Sequence, residues 1–497
     1  MDNFLSKVEL INNAINGFVW GLPMLVLLVG TGILMTCLTK FFQISHFKHW
    51  ISNTIGGIFK DSKVTAHTQK EDTQISQFQS LCTALAATIG TGNIAGVAAA
   101  IASGGPGAIF WMWIVAFFGM MTNFSENVLG IYYRRRNEKN EWCGGAMYYL
   151  RDGLGSKKGC RHLGSFLAIL FSIFCICASF GIGNMGQVNS IAVNMNSAFG
   201  VPSIITGICL MIFGALVIVG GLKRIAAVTE KLVPFMAIIY LICAIIVCLF
   251  HINQFGAVFV SIFKGAFGMK AVGGGIVGSG ISMAVQWGMK RGVFSNEAGL
   301  GSSVMVHSSS NVREPVVQGM WGIFEVFADT IVVCTITAFA VLSSGLVDLD
   351  TGVVLSSQVS TALVAEAFST VFGKFGSGFI AISILLFAFS TTLGWSQYGS
   401  KAFEYLFGRK NIKFYQIIFV LFIVIGATMD LSLAWDISDT LNGMMAIPNL
   451  IGVLTLSGTV VKITKNYIDR ILLNKDVRPM LSALEDIQRK HEEEIKA

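Results

Sequence analysis

The chain has 497 residues, 54% of them hydrophobic and only 13% charged, with a mean hydropathy of +0.68. Soluble domains carry about 25% charged residues, so the composition excludes a chain whose main solvent is water and specifies a polytopic membrane protein. The net charge of +7 does not indicate a nucleic-acid partner, because the Lys and Arg residues fall in short loops between apolar runs and in the tail, the pattern the positive-inside rule produces.

Apolar runs of about 20 residues, the length needed to cross a bilayer, predict eleven transmembrane helices at roughly 18–39, 80–103, 107–131, 165–195, 203–221, 232–250, 275–302, 318–345, 378–404, 414–430 and 438–459. The first run lacks a basic leader and a small-residue cleavage site, so it is expected to remain as a span and not to be removed as a signal peptide. Loop 40–79 carries Lys40, Lys48, Lys60, Lys63 and Lys70, and loop 132–164 carries Arg134, Arg135, Arg136, Lys139, Arg151, Lys157, Lys158 and Arg161. Lys223, Arg224 and Lys231 follow the fifth span, Lys401, Arg409, Lys410 and Lys413 the ninth, and the tail adds Lys462, Lys465, Arg470, Lys475 and Arg478. All fall on one side of the count, whereas the opposite loops carry Asp348, Asp350, Asp430, Asp436 and Asp439 with few cations beyond Lys264, Lys270 and Lys374. The amino end is therefore predicted outside and the carboxyl end in the cytoplasm. The ten cysteines lie mostly inside apolar segments without paired metal-type spacing and are expected to be reduced core residues.

Two of these segments are interrupted. TIGTGNIAG, 88–96, places three glycines, two threonines and an asparagine inside the second span. Glycine weakens a helix by about 1 kcal/mol relative to alanine, and open backbone at membrane depth is tolerated only where it is buried in protein or lines a cavity. Carbonyls around Ala86 to Ile89 can then face a cavity, the amides of Thr91 and Gly92 can face an anion, and Asn93 adds an amide for a ligand or a cation. The alternative for Gly92 and Gly96 is close helix packing of the GxxxG kind.

The seventh span runs into KRGVFSNEAGLGSS, 290–303, where Phe294, Ser295, Asn296, Glu297 and Gly299 interrupt the apolar run. An ionisable residue at this depth is a functional candidate, and Glu297 can equally clamp the broken helix; Phe294 caps a pocket or belongs to the core. Each interruption opens a set of five spans, and because five is odd the sets have opposite orientations. Interrupted helices at matching positions of inverted halves point to a transporter's binding site. The expected organisation is an N-terminal span and loop (1–79), a first five-helix repeat (80–250), an external connection (251–274), a second repeat (275–459) and a cytoplasmic amphipathic tail (460–497).

Further polar groups lie in other spans. SFGIGNMGQVN, 179–189, contains a G-x-G-x-x-G spacing, but with no preceding strand and no acidic residue about 20 positions on it is not a dinucleotide fingerprint. Asn184, Gln187 and Asn189 there need partners inside the bundle; Gln187 is the candidate ligand contact. FSTTLGWSQ, 389–397, offers the hydroxyls of Ser390, Thr391 and Thr392, which with freed carbonyls of the first break would make an all-oxygen cage suited to a hard cation such as Na⁺, or which bond back to their own helix. Trp395 forms a pocket wall or core. Glu325 and Asp329 share one helix face in the eighth span, as a proton relay or a structural network. No HExxH motif, P-loop or nucleophile arrangement is present, so an enzyme and an ATP-driven pump are not expected.

TIGTGNIAGVAAAIASGGPGAIFWMW (88–113), GGAMYYLRDGLG (144–155), KRGVFSNEAGLGSS (290–303), QGMWGIFEVFADTIVVCTITA (318–338) and FSTTLGWSQYG (389–399) together resemble the alanine or glycine:cation symporter family, the sodium:alanine/glycine symporters. The resemblance covers roughly residues 15–460. It implies an all-α, leucine-transporter-like 5+5 inverted repeat with one extra N-terminal span, a bacterial inner-membrane location, and uptake of a small neutral amino acid with Na⁺ as coupling ion. It further implies that the amides of Thr91 and Gly92 hold the substrate carboxylate with Thr88 near its ammonium. By the same resemblance Gln187, Phe294, Thr391 and Trp395 would surround the substrate, and Na⁺ would sit between carbonyls of Ala86 and Ile89 and the hydroxyls of Thr391 and Thr392; Asn93 and Asn296, from the two interruptions, are added to the expected substrate site on their residue chemistry. Two departures from the family pattern are Ala146 in place of proline in GGAMYY and the hydroxyl-rich GSSVMVHSSS run. A proton-coupled carrier, a membrane sensor that binds an amino acid without moving it, and a channel are the competing readings; two unrepeated interruptions disfavour a channel, which needs rings of charge or carbonyls.

Overall fold

The computed structural model describes residues 2–66, 74–267, 277–429 and 432–496; Lys70, Lys270, Asp430 and the connection from 268 to 274 lie outside them, as does the side chain of Lys63. The principal helices are α1 (Asp2–Val19), α2 (Leu22–Leu38), α3 (Gln77–Thr88), α4 (Ala95–Gly104), α5 (Gly107–Tyr132), α6 (Arg161–Phe199), α7 (Ser203–Ile218), α8 (Gly221–Phe250), α9 (Phe255–Phe267), α10 (Val277–Asn296), α11 (Pro315–Ser343), α12 (Ser360–Phe372), α13 (Lys374–Phe407), α14 (Ile412–Thr428), α15 (Ser432–Thr455), α16 (Ser457–Tyr467) and α17 (Glu485–Lys496). A two-residue antiparallel hairpin pairs β1 (Arg135–Arg136) with β2 (Trp142–Cys143).

Among the described residues seven helices are long and apolar enough to cross a membrane, or eight if the bent pair 436–455 and 457–472 is one span. This makes the chain a helical polytopic membrane protein. Three of the eleven expected spans coincide with helices that fall short of that criterion. Span 80–103 is divided between α3 and α4, span 203–221 corresponds to α7 with 16 residues, and span 275–302 is occupied by α10, which holds Lys290 and Arg291.

Burial follows the expected solvent on each face. Ile205, Ile212 and Leu216 of α7, and Phe235, Ile242 and Leu249 of α8, are half or more exposed; bare apolar side chains on a helix surface are what a lipid solvent permits. Polar residues are instead concentrated inside. The centre is built around α5, which packs along α10 and α11 while α3 packs along α8 and α13.

Each interruption has a local cause. α3 starts on a capping box in which the Ser76 hydroxyl accepts from the Gln79 amide and the Gln79 side chain accepts from the Ser76 amide. It ends at Thr88 because Ile89 turns extended and Gly90 takes φ −139°, ψ −148°; a 3₁₀ turn, Thr91–Asn93, then leads into α4. α10 ends at Asn296 where Glu297 adopts φ +56°, followed by Gly299 at +93° and Gly301 at +73°. The left-handed region costs a non-glycine residue roughly 1–2 kcal/mol, so the contacts of the Glu297 side chain must hold it there.

Candidate functional site

The two interruptions face each other. A methyl added at Gly92 would lie 3.3 Å from the Phe294 ring, and one at Gly90 would lie 2.4 Å from the Thr391 hydroxyl. Absence of side chains at 90 and 92 therefore lets the first interruption meet α10 and α13. The space enclosed is lined by Thr88, Gly92, Gln187, Phe294, Thr391 and Trp395, all candidates from the sequence, together with Ala87, Gly90, Ile182, Glu297 and Asn442. Its volume is about 20 Å³, room for a single water.

Polar groups converge on this space. The Thr91 amide points to Gln187 Oε1 at 3.5 Å, while Gln187 Nε2 donates to the Ile182 carbonyl at 3.1 Å. Trp395 Nε1 donates to Glu297 Oε1 at 2.9 Å, and the Ser302 hydroxyl donates to Glu297 Oε2 at 2.5 Å. These two donors fix the carboxyl group and with it the left-handed backbone of Glu297. Gly181 and Gly183, the first two positions of the rejected dinucleotide spacing, serve packing: a methyl at 183 would lie 2.4 Å from Trp395 Cβ, and one at 181 would overlap Ser438. Asn184 and Asn189 act between helices, donating to the carbonyl of Phe419 at 2.7 Å and to those of Gly426 and Met429 at 3.2 and 3.1 Å.

Not every expected residue lines the space. Asn93 turns away, accepting from the Gly90 amide at 2.9 Å and donating to Asp329 Oδ1 at 2.6 Å. Ser295 and Thr330 each donate to Asp329 Oδ2 at 2.7 Å, and Asn296 donates to Thr330 Oγ1 at 3.0 Å. Asn93 and Asn296 therefore brace the two interruptions through one buried carboxyl group on α11, and Asp329 belongs to that network.

The oxygens expected around a cation lie on two adjacent helices. Thr391 Oγ1 is 3.5 Å from the Ile89 carbonyl and donates to the Phe387 carbonyl at 3.0 Å; Thr392 donates to the Ala388 carbonyl at 3.0 Å. A hydroxyl whose proton is held by its own helix keeps its lone pairs outward; of the four oxygens, the Ile89 carbonyl and Thr391 Oγ1 are the pair brought within 3.5 Å of each other. Ala86 is fully buried on the facing helix α3.

Sequence reasoning named Glu325 but passed over the rest of a second polar cluster. Glu126, flanked by Asn123 and Asn127 in α5, is fully buried and accepts from Asn449, which also donates to the Gly299 carbonyl at 2.9 Å. Asn123 and His307 both bond Glu325 Oε2, at 3.1 and 3.0 Å. An acidic residue between two asparagines within an apolar run was signal enough for Glu126. Asn442 was hidden by its neighbours Asp439 and Thr440, which engage α1: Asn16 donates to both, and Lys290 pairs with Asp439 at 3.0 Å.

A many-helix membrane protein whose polar centre lies where two broken helices meet has the arrangement of a transporter's binding site. The chain belongs to the sodium:alanine symporter family, whose model matches residues 5–480. It is 47% identical over 455 residues to the sodium/alanine symporter AgcS of Methanococcus maripaludis, covering 92% of this chain and 96% of the relative. It is 40% identical to an uncharacterized transporter of Haemophilus influenzae (94% and 98% covered) and 35% identical to the amino-acid carrier protein AlsT of Bacillus subtilis (94% and 93% covered).

Proposed function

We propose that the protein imports a small neutral amino acid, alanine or glycine, together with Na⁺ by alternating access. In this reading residues 80–250 and 275–459 are two inverted five-span halves that follow one extra span, giving eleven spans, with the amino end outside and the carboxyl end in the cytoplasm of an inner membrane. The observation that carries it is the single cavity that both interruptions share with Gln187, Thr391 and Trp395. The amides of Thr91 and Gly92 take the substrate carboxylate, with Thr88 near its ammonium and Gln187 beside the substrate. Carbonyls of Ala86 and Ile89 with the hydroxyls of Thr391 and Thr392 hold Na⁺. Because Ile89 and Thr91 belong to one unwound stretch, each ligand orders backbone that the other uses, which couples their binding. Phe294, Trp395 and Ile182 leave so little room that the smallest side chains need the least expansion, which supports alanine or glycine over larger substrates.

Trp395→Phe keeps most of the ring but strips the donor from Glu297 Oε1. A buried acceptor left without its partner costs about 1–3 kcal/mol, so uptake in vesicles is expected to fall roughly tenfold or more. Unchanged uptake would remove Glu297 from the site.

A second reading, proton coupling, is favoured by one observation: the fully buried pair of His307 Nε2 and Glu325 Oε2 at 3.0 Å, continued by Gln318 Nε2 on His307 Nδ1 at 2.5 Å. Uptake by the purified protein in liposomes, with Na⁺ and pH gradients set independently, separates the two.

A further inference from the structure

The segment GGAMYYLRDGLG, 144–155, contributes no residue to the lining of the central cavity. Its Arg151, Asp152 and Gly155 instead line a separate cavity of about 440 Å³, together with Arg135, Arg161 and Ser165. Close backbone approach builds the wall: a methyl added at Gly164, in the first turn of α6, would lie 2.5 Å from the Leu150 carbonyl oxygen and 2.8 Å from the Gly155 nitrogen. The tail closes another side with Ala483 and Leu484, anchored by the Ala483 amide on the Tyr132 carbonyl at 2.9 Å.

Three guanidinium groups face one carboxylate among the lining residues, Asp152. Arg151 donates to its Oδ1 and Oδ2 at 2.9 and 3.2 Å, and Arg135 Nε lies 2.8 Å from Oδ2. Asp152 therefore holds two arginines side by side but neutralises only one charge. Arg161 is exposed and makes no ion pair among the described residues. The next tail residue, Glu485, pairs instead with Arg478 and Arg489, at 2.8 and 3.4 Å.

Arg161 opens α6, which is long and apolar enough to cross a membrane, so the cavity lies where that helix begins. The first turn of α6 carries no acidic residue and no side-chain cap. A cation there opposes the helix dipole, so helix stability does not account for Arg161, whereas an anion in the cavity would. Residues four apart share a helix face, and from Ser165 that face continues into Ile169 and Ile173, which with Phe166 are between 44% and 61% exposed. Guanidinium forks match phosphate oxygens, and the volume falls in the range of small-molecule sites. A soluble phosphate would use the arginines alone; a phospholipid uses the arginines and the bare apolar face that continues from them.

We infer that this cavity binds the phosphate of an anionic phospholipid whose acyl chain lies along Ile169 and Ile173, and that the bound lipid fastens segment 151–155 to the start of α6, the helix that carries Gln187. The site is independent of which substrate is carried, and its test needs no transport assay. Purified full-length protein in a nonionic detergent is followed by its Tm while short-chain phosphatidylglycerol, short-chain phosphatidylcholine or pyrophosphate is added at matched ionic strength. A saturable rise with phosphatidylglycerol, and none with the other two, is expected. Arg161→Gln should raise the midpoint concentration by about tenfold, the worth of one charge-assisted hydrogen bond. Lys374→Gln, an equal charge change at an exposed position that does not line the cavity, should leave it unchanged. No saturable rise with phosphatidylglycerol, as large a rise with phosphatidylcholine or with pyrophosphate, or equal effects of the two substitutions, overturns the inference.

Discussion

Asn93→Ala is expected to reduce amino-acid uptake to below roughly a hundredth of the wild-type rate while the protein still folds. The substitution removes two contacts at once: the acceptor for the Gly90 amide at 2.9 Å and the donor to Asp329 Oδ1 at 2.6 Å. The first leaves an unwound residue of the binding stretch free to turn its N–H elsewhere. The second releases α11 from the first interruption. Stability should fall by only about 1–3 kcal/mol, because Asp329 Oδ2 keeps the Ser295 and Thr330 hydroxyls. Asn93→Asp sharpens the test, since it preserves an acceptor for Gly90 but sets a second carboxyl group against Asp329; it too should be inactive. Near-normal uptake by Asn93→Ala, with Tm unchanged, would show that this brace is not part of the working site.

Gly90→Ala should be nearly as damaging for a different reason. Its φ of −139° lies outside the left-handed region, so the main obstacle is steric: the added methyl would lie 2.4 Å from Thr391 Oγ1, 3.3 Å from Thr391 Cβ and 3.4 Å from Gln187 Oε1. Overpacking of this kind costs about 1–3 kcal/mol, and the displaced groups are those proposed to hold both ligands. Uptake is expected to fall by at least about tenfold. A double-mutant cycle with Thr391→Ala should return a coupling energy of about 0.5–3 kcal/mol. Additivity would mean that the first interruption and α13 do not touch as described.

The two helix interruptions that frame the candidate site were legible in the sequence because their signal was compositional. Three glycines in TIGTGNIAG and a charged cluster in KRGVFSNEAGLGSS mark open backbone at membrane depth, and the helices do end at Thr88 and Asn296. Side-chain direction was not legible. Asn93 finds its partner 236 positions away on Asp329, and Asn296 finds Thr330, because helix rotation and packing decide which face of a broken segment points inward. The glycines of GIGNMG could be rejected as a nucleotide fingerprint but not assigned to the close approach of Trp395 and Ser438, which is a tertiary contact. The span count falls short where an interrupted segment is too short or too polar for a length-and-apolarity criterion, so α3, α4 and α10 drop out of it, as does the uninterrupted but 16-residue α7.

The central claim is that Na⁺ and the amino acid share one unwound stretch and move together. It is tested most directly by accumulation of radiolabelled alanine in liposomes containing the purified protein, with the Na⁺ and pH gradients imposed separately. Concentrative uptake that requires an inward Na⁺ gradient and persists with no pH gradient is the predicted result. Accumulation that follows the pH gradient and ignores Na⁺, or binding of alanine with no accumulation under any gradient, would contradict it.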